Sequence, residues 1–183
     1  MSWEMFCACN KVGSRYLNAS FEDDTVMDTE MRQGGIDWVK KPRSLVLSGP
    51  TGRGKTHFMY ALIRNLLKRC DLSQIRLYKA KKLDDFLLHK FKEYGSASYF
   101  LDQLADIRAL FIDDFGVERP TERALREIYE IIDERYEHQK LTVLTTNLSN
   151  AQIKKVYGER IHSRLKDYEW ITFTGKDLRG NYE

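Results

Sequence analysis

Gly49-Pro50-Thr51-Gly52-Arg53-Gly54-Lys55-Thr56 meets every fixed position of the phosphate-loop pattern G-x-x-x-x-G-K-[ST]. Its flanks decide how it folds. Before it, Ser44-Leu45-Val46-Leu47-Ser48 is an apolar run of strand length. After it, residues 57–70 carry Phe58, Leu62, Leu66 and Leu67 at helical spacing. A strand, a glycine turn and a helix start aim backbone N–H groups and the positive end of a helix dipole at one anionic ligand. In such a loop residues 49–56 cradle the phosphates, Lys55 reaches the β- and γ-phosphates, and the Thr56 hydroxyl ligates Mg²⁺. The expected ligand is a nucleoside triphosphate.

Outward from the loop, strands and helices alternate. Residues 75–79 read as a second strand, followed by helical patterns at 83–94 and 99–104. Ala109-Leu110-Phe111-Ile112-Asp113 is a third strand, apolar until its last residue, as expected where both faces are buried. Residues 121–138 form the best helix pattern, with Leu125, Ile128, Ile132 and Tyr136 on one face and Pro120-Thr121-Glu122 at its start. Residues 141–145 and 170–174 give a fourth and a fifth strand. Strands separated by helices imply an α/β, mostly parallel, doubly wound sheet. Residues 1–42 have weak periodicity and turn formers, including Gly34, Gly35 and Pro42, and read as an irregular arm with one short helix. The expected division is this arm (1–42) and a nucleotide-binding domain (43–183).

The chain of 183 residues is long enough for a substantial core, with 42% hydrophobic and 31% charged residues. No apolar run approaches the ~20 residues needed to cross a bilayer, so no membrane association is expected. Glu4 stands where an export signal carries basic residues, and three cysteines suit reduced thiols, so the expected location is the cytoplasm. The net charge of +3 is too small to argue for a nucleic-acid partner without a local basic patch.

A second constellation sharpens the chemistry. Leu110-Phe111-Ile112-Asp113-Asp114-Phe115-Gly116 is an apolar strand ending in two carboxylates, the Walker B arrangement. Asp113 is expected to hold Mg²⁺ and Asp114 to orient or deprotonate the attacking water. Thr145-Thr146-Asn147 ends the fourth strand, and strand carboxyl ends face the ligand in a parallel sheet. A polar side chain there can bond the γ-phosphate and the attacking water together. Beyond it lie Gly158-Glu159-Arg160-Ile161-His162-Ser163-Arg164-Leu165 and, near the end, Arg179. Arginines that neutralise transition-state charge complete many such sites, although pattern alone favours reading Arg164 and Arg179 as solvated side chains.

Together these motifs resemble the AAA+ ATPases of the DnaC/DnaI helicase-loader and IstB transposition-helper group. Ser14-Arg15-Tyr16-Leu17-Asn18-Ala19-Ser20-Phe21 is similar to the arm entering that family's core, and Ile131 to Tyr136 and Leu141 to Leu148 are similar to its helix and sensor-1 strand. The resemblance implies a five-stranded parallel core of order 5-1-4-3-2 without a large helical lid, and ATP with Mg²⁺ as cofactors. It implies that Asn147 is the sensor-1 asparagine, Arg164 the box VII arginine finger acting on a neighbour's nucleotide, and Arg179 the sensor-2 arginine. It further implies an ATP-dependent homo-oligomer whose client is a replicative helicase, with a transposase second. The family's loaders carry an N-terminal helicase-gripping domain, whereas about a dozen residues precede Ser14 here. Cys7 and Cys9, one residue apart, cannot fill a tetrahedral zinc site and read as ordinary thiols.

A basic, aromatic stretch follows the second strand. Lys79, Lys81, Lys82, Lys90 and Lys92 are interleaved with Phe86, Phe91, Tyr94, Tyr99 and Phe100, a mixture that suits single-stranded DNA or, equally, a solvated amphipathic helix. The leading reading is a DNA-replication accessory ATPase, with a transposition helper as its alternative. Two rivals come from other classes. A small-molecule phosphotransferase would need an arginine-rich closing lid. A non-hydrolysing inhibitory module would not need Asp113, Asp114, Asn147 and Arg164.

Overall fold

A computed structural model describes residues 3–23, 26–116, 120–174 and 177–178. The strands β1 (Leu45–Ser48), β2 (Ile75–Lys79), β3 (Ala109–Phe115), β4 (Leu141–Thr146) and β5 (Glu169–Thr172) form one sheet in the order β2-β3-β4-β1-β5. Every pairing is parallel. This is the expected 5-1-4-3-2 order read from the other edge. The central strands are apolar on both sides because helices cover both faces.

Alternation along the strands sorts the core into two layers. Leu45, Leu47, Phe111 and Val143 face α3 (Lys55–Leu66), meeting Phe58, Met59, Leu62 and Ile63. Val46, Leu110, Ile112 and Leu144 face the opposite layer, built by α4 (Ala80–Tyr94), α5 (Ser98–Asp106), α6 (Glu122–Glu137) and α7 (Asn150–Leu165).

The N-terminal stretch is more ordered than its sequence suggests. It holds two helices, α1 (Trp3–Cys9) and α2 (Thr29–Lys40), rather than one short one. Trp3 and Phe6 stack at 5.6 Å, and Trp3 meets Tyr60 of α3 edge-on. Asp28 caps α2 by accepting the Met31 N–H at 2.8 Å. Trp38 is 1% exposed and donates its indole N–H to the Arg43 carbonyl at 2.6 Å. Gly35, which weakens the helical reading, is needed for packing: a Cβ there would lie 2.5 Å from the Phe21 ring. Tertiary contact overrides propensity at this site.

Two helices on the other layer also depart from expectation. On α6 the buried stripe runs through Ala124, Glu127, Ile131, Ile132 and Arg135, while Tyr136 is 37% exposed. Tyr136 turns outward and donates its hydroxyl to Asp167 at 2.6 Å. The α7 span is two segments, broken at Gly158, whose φ of 83° is not helical. The first segment opens with a capping box between Ser149 and Gln152. The second carries Arg160 and Arg164.

Among the described residues no helix is long and apolar enough to cross a membrane. Cys7 is buried on α1, Cys9 is exposed and Cys70 half-buried, all as free thiols.

Candidate functional site

Parallel strands bring the carboxyl ends of β1, β3 and β4 to one rim, and the candidate site lies there. The turn after β1 runs through Gly49 and Gly52 at positive φ and closes at Gly54, where φ 87° makes the left-handed start of α3. A side chain at Gly54 would strain that start, so the loop needs glycine where the pattern demands it. The loop borders an open cleft lined by residues 51–56 together with Asp114 and Asn147.

Lys55 is 7% exposed. Its ammonium donates to the Gly49 carbonyl at 2.6 Å, the Pro50 carbonyl at 2.7 Å and Asn147 Oδ1 at 2.9 Å. The loop cation and the end of β4 are therefore in direct contact. Thr56 Oγ1 donates to Asp113 Oδ1 at 2.9 Å, tying the first turn of α3 to β3.

The two acids behave differently. Asp113 is 3% exposed, and burial holds its carboxyl above the usual carboxylate range, opposed by hydrogen bonds from Thr145 and Thr56 and aided by the nearby charge of Asp114. Asp114 is exposed and sits at φ 59°, where β3 shifts register against β4 between Ile112 and Phe115. That left-handed backbone turns the Asp114 side chain out of the strand's alternation and towards the cleft, which it helps to line. The conformation is held by Thr145, whose Oγ1 accepts the Asp114 N–H at 2.9 Å while donating to Asp113 Oδ1 at 2.6 Å. Sequence reasoning assigns no such bridging to Thr145. Its partners follow from the β3–β4 register, which a motif does not carry.

At the far end of the cleft stand Arg15, Tyr16, Val26, His57 and Leu178. In the sequence, Arg15 and Tyr16 stand out only as part of the entering arm. Tyr16 stacks on Tyr60 at 5.0 Å, so the arm forms a cleft wall braced by α3. His57 Nε2 accepts the Ser20 N–H at 3.4 Å, and burial holds its pKa below the ordinary histidine range despite Asp23 nearby. A neutral imidazole accepting through Nε2 fits both observations. Arg53 also lines the cleft, with Nε and Nη1 buried and without hydrogen-bond partners among the described residues.

Arg164 lies elsewhere. It is not among the residues lining the cleft, and its Nε donates to Asp133 Oδ1 of α6 at 2.6 Å. Its guanidinium stands 5.5 Å over the Tyr129 ring. Arg179 falls outside the described residues. Of the residues singled out in the sequence, the structure thus joins residues 51–56 with Asp113, Asp114 and Asn147, and sets Arg164 apart.

The chain matches the model of IstB-like ATP-binding proteins over residues 18–165. It belongs to that family. Among its relatives, the putative ATP-binding protein named for insertion sequence IS1162 of Pseudomonas fluorescens is 32% identical over 116 residues, spanning 63% of this chain and 48% of its own. The replicative helicase loader DnaC of Escherichia coli K12 is 26% identical over 139 residues, spanning 74% of this chain and 56% of its own. This chain therefore spans about half the length of the curated relatives it matches. In three dimensions it is similar to a crystal structure of the DnaC helicase loader, with TM-score 0.77, 23% identity, and coverage of 88% of this chain and 100% of the other. The replication initiator DnaA bound to AMPPCP and single-stranded DNA gives TM-score 0.74 at 16% identity, over 92% of this chain and 53% of that one. The fold is thus the one these structures share, and the family is an ATP-binding one.

Proposed function

We propose that this protein hydrolyses ATP in a self-assembled oligomer, and uses the cycle to control its hold on single-stranded DNA and on a client protein in DNA replication. The observation that carries the reading is the convergence of Lys55, Thr56, Asp113, Asp114 and Asn147 on one rim of the sheet. Lys55 exchanges protein acceptors for β- and γ-phosphate oxygens when ATP enters, and the loop N–H groups take the rest of the phosphate charge. Thr56 and Asp113 present hard oxygen donors in contact with each other, a set that fits Mg²⁺, which neutralises phosphate charge when bound. Asp114, exposed and aimed at the cleft, accepts a proton from the water whose oxygen attacks the γ-phosphorus, while the bond from that phosphorus to the β–γ bridging oxygen breaks and ADP leaves. Asn147, which holds Lys55 before ATP enters, is then free to bond the γ-phosphate and the attacking water. Arg164 completes a neighbouring subunit's site, because it points away from its own cleft.

A second reading, a transposition helper acting with a transposase, is favoured by the 32% identity to the insertion-sequence protein. Both readings share the ATPase step. For a phosphotransferase, the segment carrying Arg160 and Arg164 would have to close over the phosphates, and it packs on α6 instead.

The test separates binding from turnover. Lys55→Ala should abolish tight ATP binding, whereas Asp114→Asn should bind ATP nearly as the parent does and lose turnover. Equal loss of binding in both variants would overturn the assignment of roles.

A further inference from the structure

Arg164 is held by a small cluster that the nucleotide site does not use. Asp133 takes its Nε, the Tyr129 ring lies under its guanidinium, and Ser163 Oγ lies 3.0 Å from Nη1. Nη2 reaches the Tyr129 hydroxyl at 3.5 Å, a long and weak hydrogen bond. The Tyr129 hydroxyl is itself hydrogen-bonded to Asp133, so ring and carboxylate brace one another. Arg160, one turn earlier, stands 5.8 Å over the same ring. None of Tyr129, Asp133, Arg160 and Arg164 lines the nucleotide cleft.

The direction of approach matters. A carboxylate on the Nη1–Nη2 fork would occupy the edge that a phosphate oxygen needs. Asp133 instead binds side-on at Nε and leaves the Nη2 corner lightly held. An arginine so anchored loses its rotamer freedom before any partner docks, which is what a group acting across an interface requires.

We propose that Asp133 and Tyr129 are positioning residues that set Arg164 for a neighbouring copy's ATP. This rests on the reading of Arg164 as a finger acting in trans. A plain surface ion pair would contribute little and would serve only its own subunit.

The experiment asks which subunit feels the change. Mixing Lys55→Ala, which keeps Arg164, with Arg164→Ala, which keeps its phosphate loop, should restore ATPase activity at mixed interfaces. Adding Asp133→Ala to the Lys55→Ala partner should then cut the restored turnover about tenfold or more with KM for ATP unchanged. The same change in the Arg164→Ala partner should leave it intact, which also shows that Asp133→Ala folds and binds ATP. Asp133→Asn in the Lys55→Ala partner should keep most of the activity, since its Oδ1 still accepts from Nε. Restoration followed by a loss that ignores which partner carries Asp133→Ala, or by no loss, overturns the positioning role alone. No restoration in the first mixture overturns the trans reading and the positioning role with it.

Discussion

Asp113 shows how much of the site a sequence carries and where it stops. The acid is legible because an apolar run ends on it, and the phosphate loop tells which ligand it faces. Its environment is not legible. Thr145 reaches it because β3 and β4 pair in the register Ile112↔Leu144, and the shift that follows leaves Asp114 in a left-handed conformation which its own N–H bond to Thr145 sustains. Such backbone costs of order 1–3 kcal/mol and persists where its surroundings over-determine it. The buried carboxyl is a liability to the fold. Its folded pKa is raised, so the stability it lends is present below the unfolded value and lost as pH rises through the folded one. Asp113→Asn should therefore stabilise the nucleotide-free protein at neutral pH by about 1 kcal/mol, a common trade at functional sites. The gain should shrink as pH falls through the raised folded pKa and vanish below the unfolded one, because the parent carboxyl is then neutral in both states. The variant should also lose the extra stabilisation that Mg²⁺ adds to ATP. Thermal melts across pH, with and without Mg²⁺ and ATP, check this. A variant less stable than the parent at pH 7 would mean that the charge itself holds Thr56 and Thr145 in place.

At the level of elements, strands are easier to read than helices. All five strands stand within two residues of the stretches that announce them; for β1 and β3, covered on both faces, that stretch is a continuous hydrophobic run, whereas β2 and β5 at the sheet edges are only partly buried. The helix α2 is hard to see because one of its buried positions is Gly35, which contributes no hydrophobic mark. Asp28 three residues before Met31, with Trp38 and Val39 seven and eight residues after Met31, is the trace it leaves in the sequence. Arg135 is the converse case, a charged residue that looks solvated and is fully buried. Its guanidinium donates to Thr142 Oγ1 and to the carbonyls of Leu104, Ala105, Ile107 and Leu141. Two of those carbonyls belong to the last turn of α5, which has no intrahelical partners for them, so Arg135 caps α5 while tying α6 to β4. Burial pulls its pKa down to about 10, which still leaves it charged at neutral pH. Arg135→Met fills similar volume and leaves those acceptors without a donor, so it should cost about 3 kcal/mol or more. A urea midpoint measures the loss, and hydrogen exchange should show the C-terminal turn of α5 opening first. Near-neutral stability would mean that water replaces the guanidinium.

For the molecule as a whole, the sheet separates two surfaces: the arm with α1, α2 and α3 lies on one face, and α4 to α7 on the other. The basic, aromatic stretch falls on α4 and α5, and the structure divides it. Phe86 and Phe100 pack against the core, edge-on to each other at 5.6 Å. Lys90 pairs with Glu93 at 2.9 Å and lies 5.0 to 5.9 Å from the rings of Phe86, Tyr94 and Phe100. These members explain why the pattern reads equally well as a structural helix. Phe91, Tyr94 and Tyr99 remain 48%, 61% and 65% exposed, alongside exposed Lys81, Lys82 and Lys92. Exposed rings beside cations are what a sequence-tolerant single-strand surface requires, because every base offers a face to stack and every nucleotide a phosphate. The two kinds of residue should then separate in a salt titration. Replacing Lys81, Lys82 and Lys92 with Gln should weaken single-stranded DNA binding and lower the log–log salt slope by roughly 0.7 for each phosphate that is no longer neutralised. Replacing Tyr94 and Tyr99 with Ala should weaken binding by ~1–3 kcal/mol for each base unstacked and leave the slope unchanged. Fluorescence anisotropy with an oligothymidine over a range of salt, at saturating ATP, reads both quantities. Unchanged affinity in both variants would make this surface a solvated face.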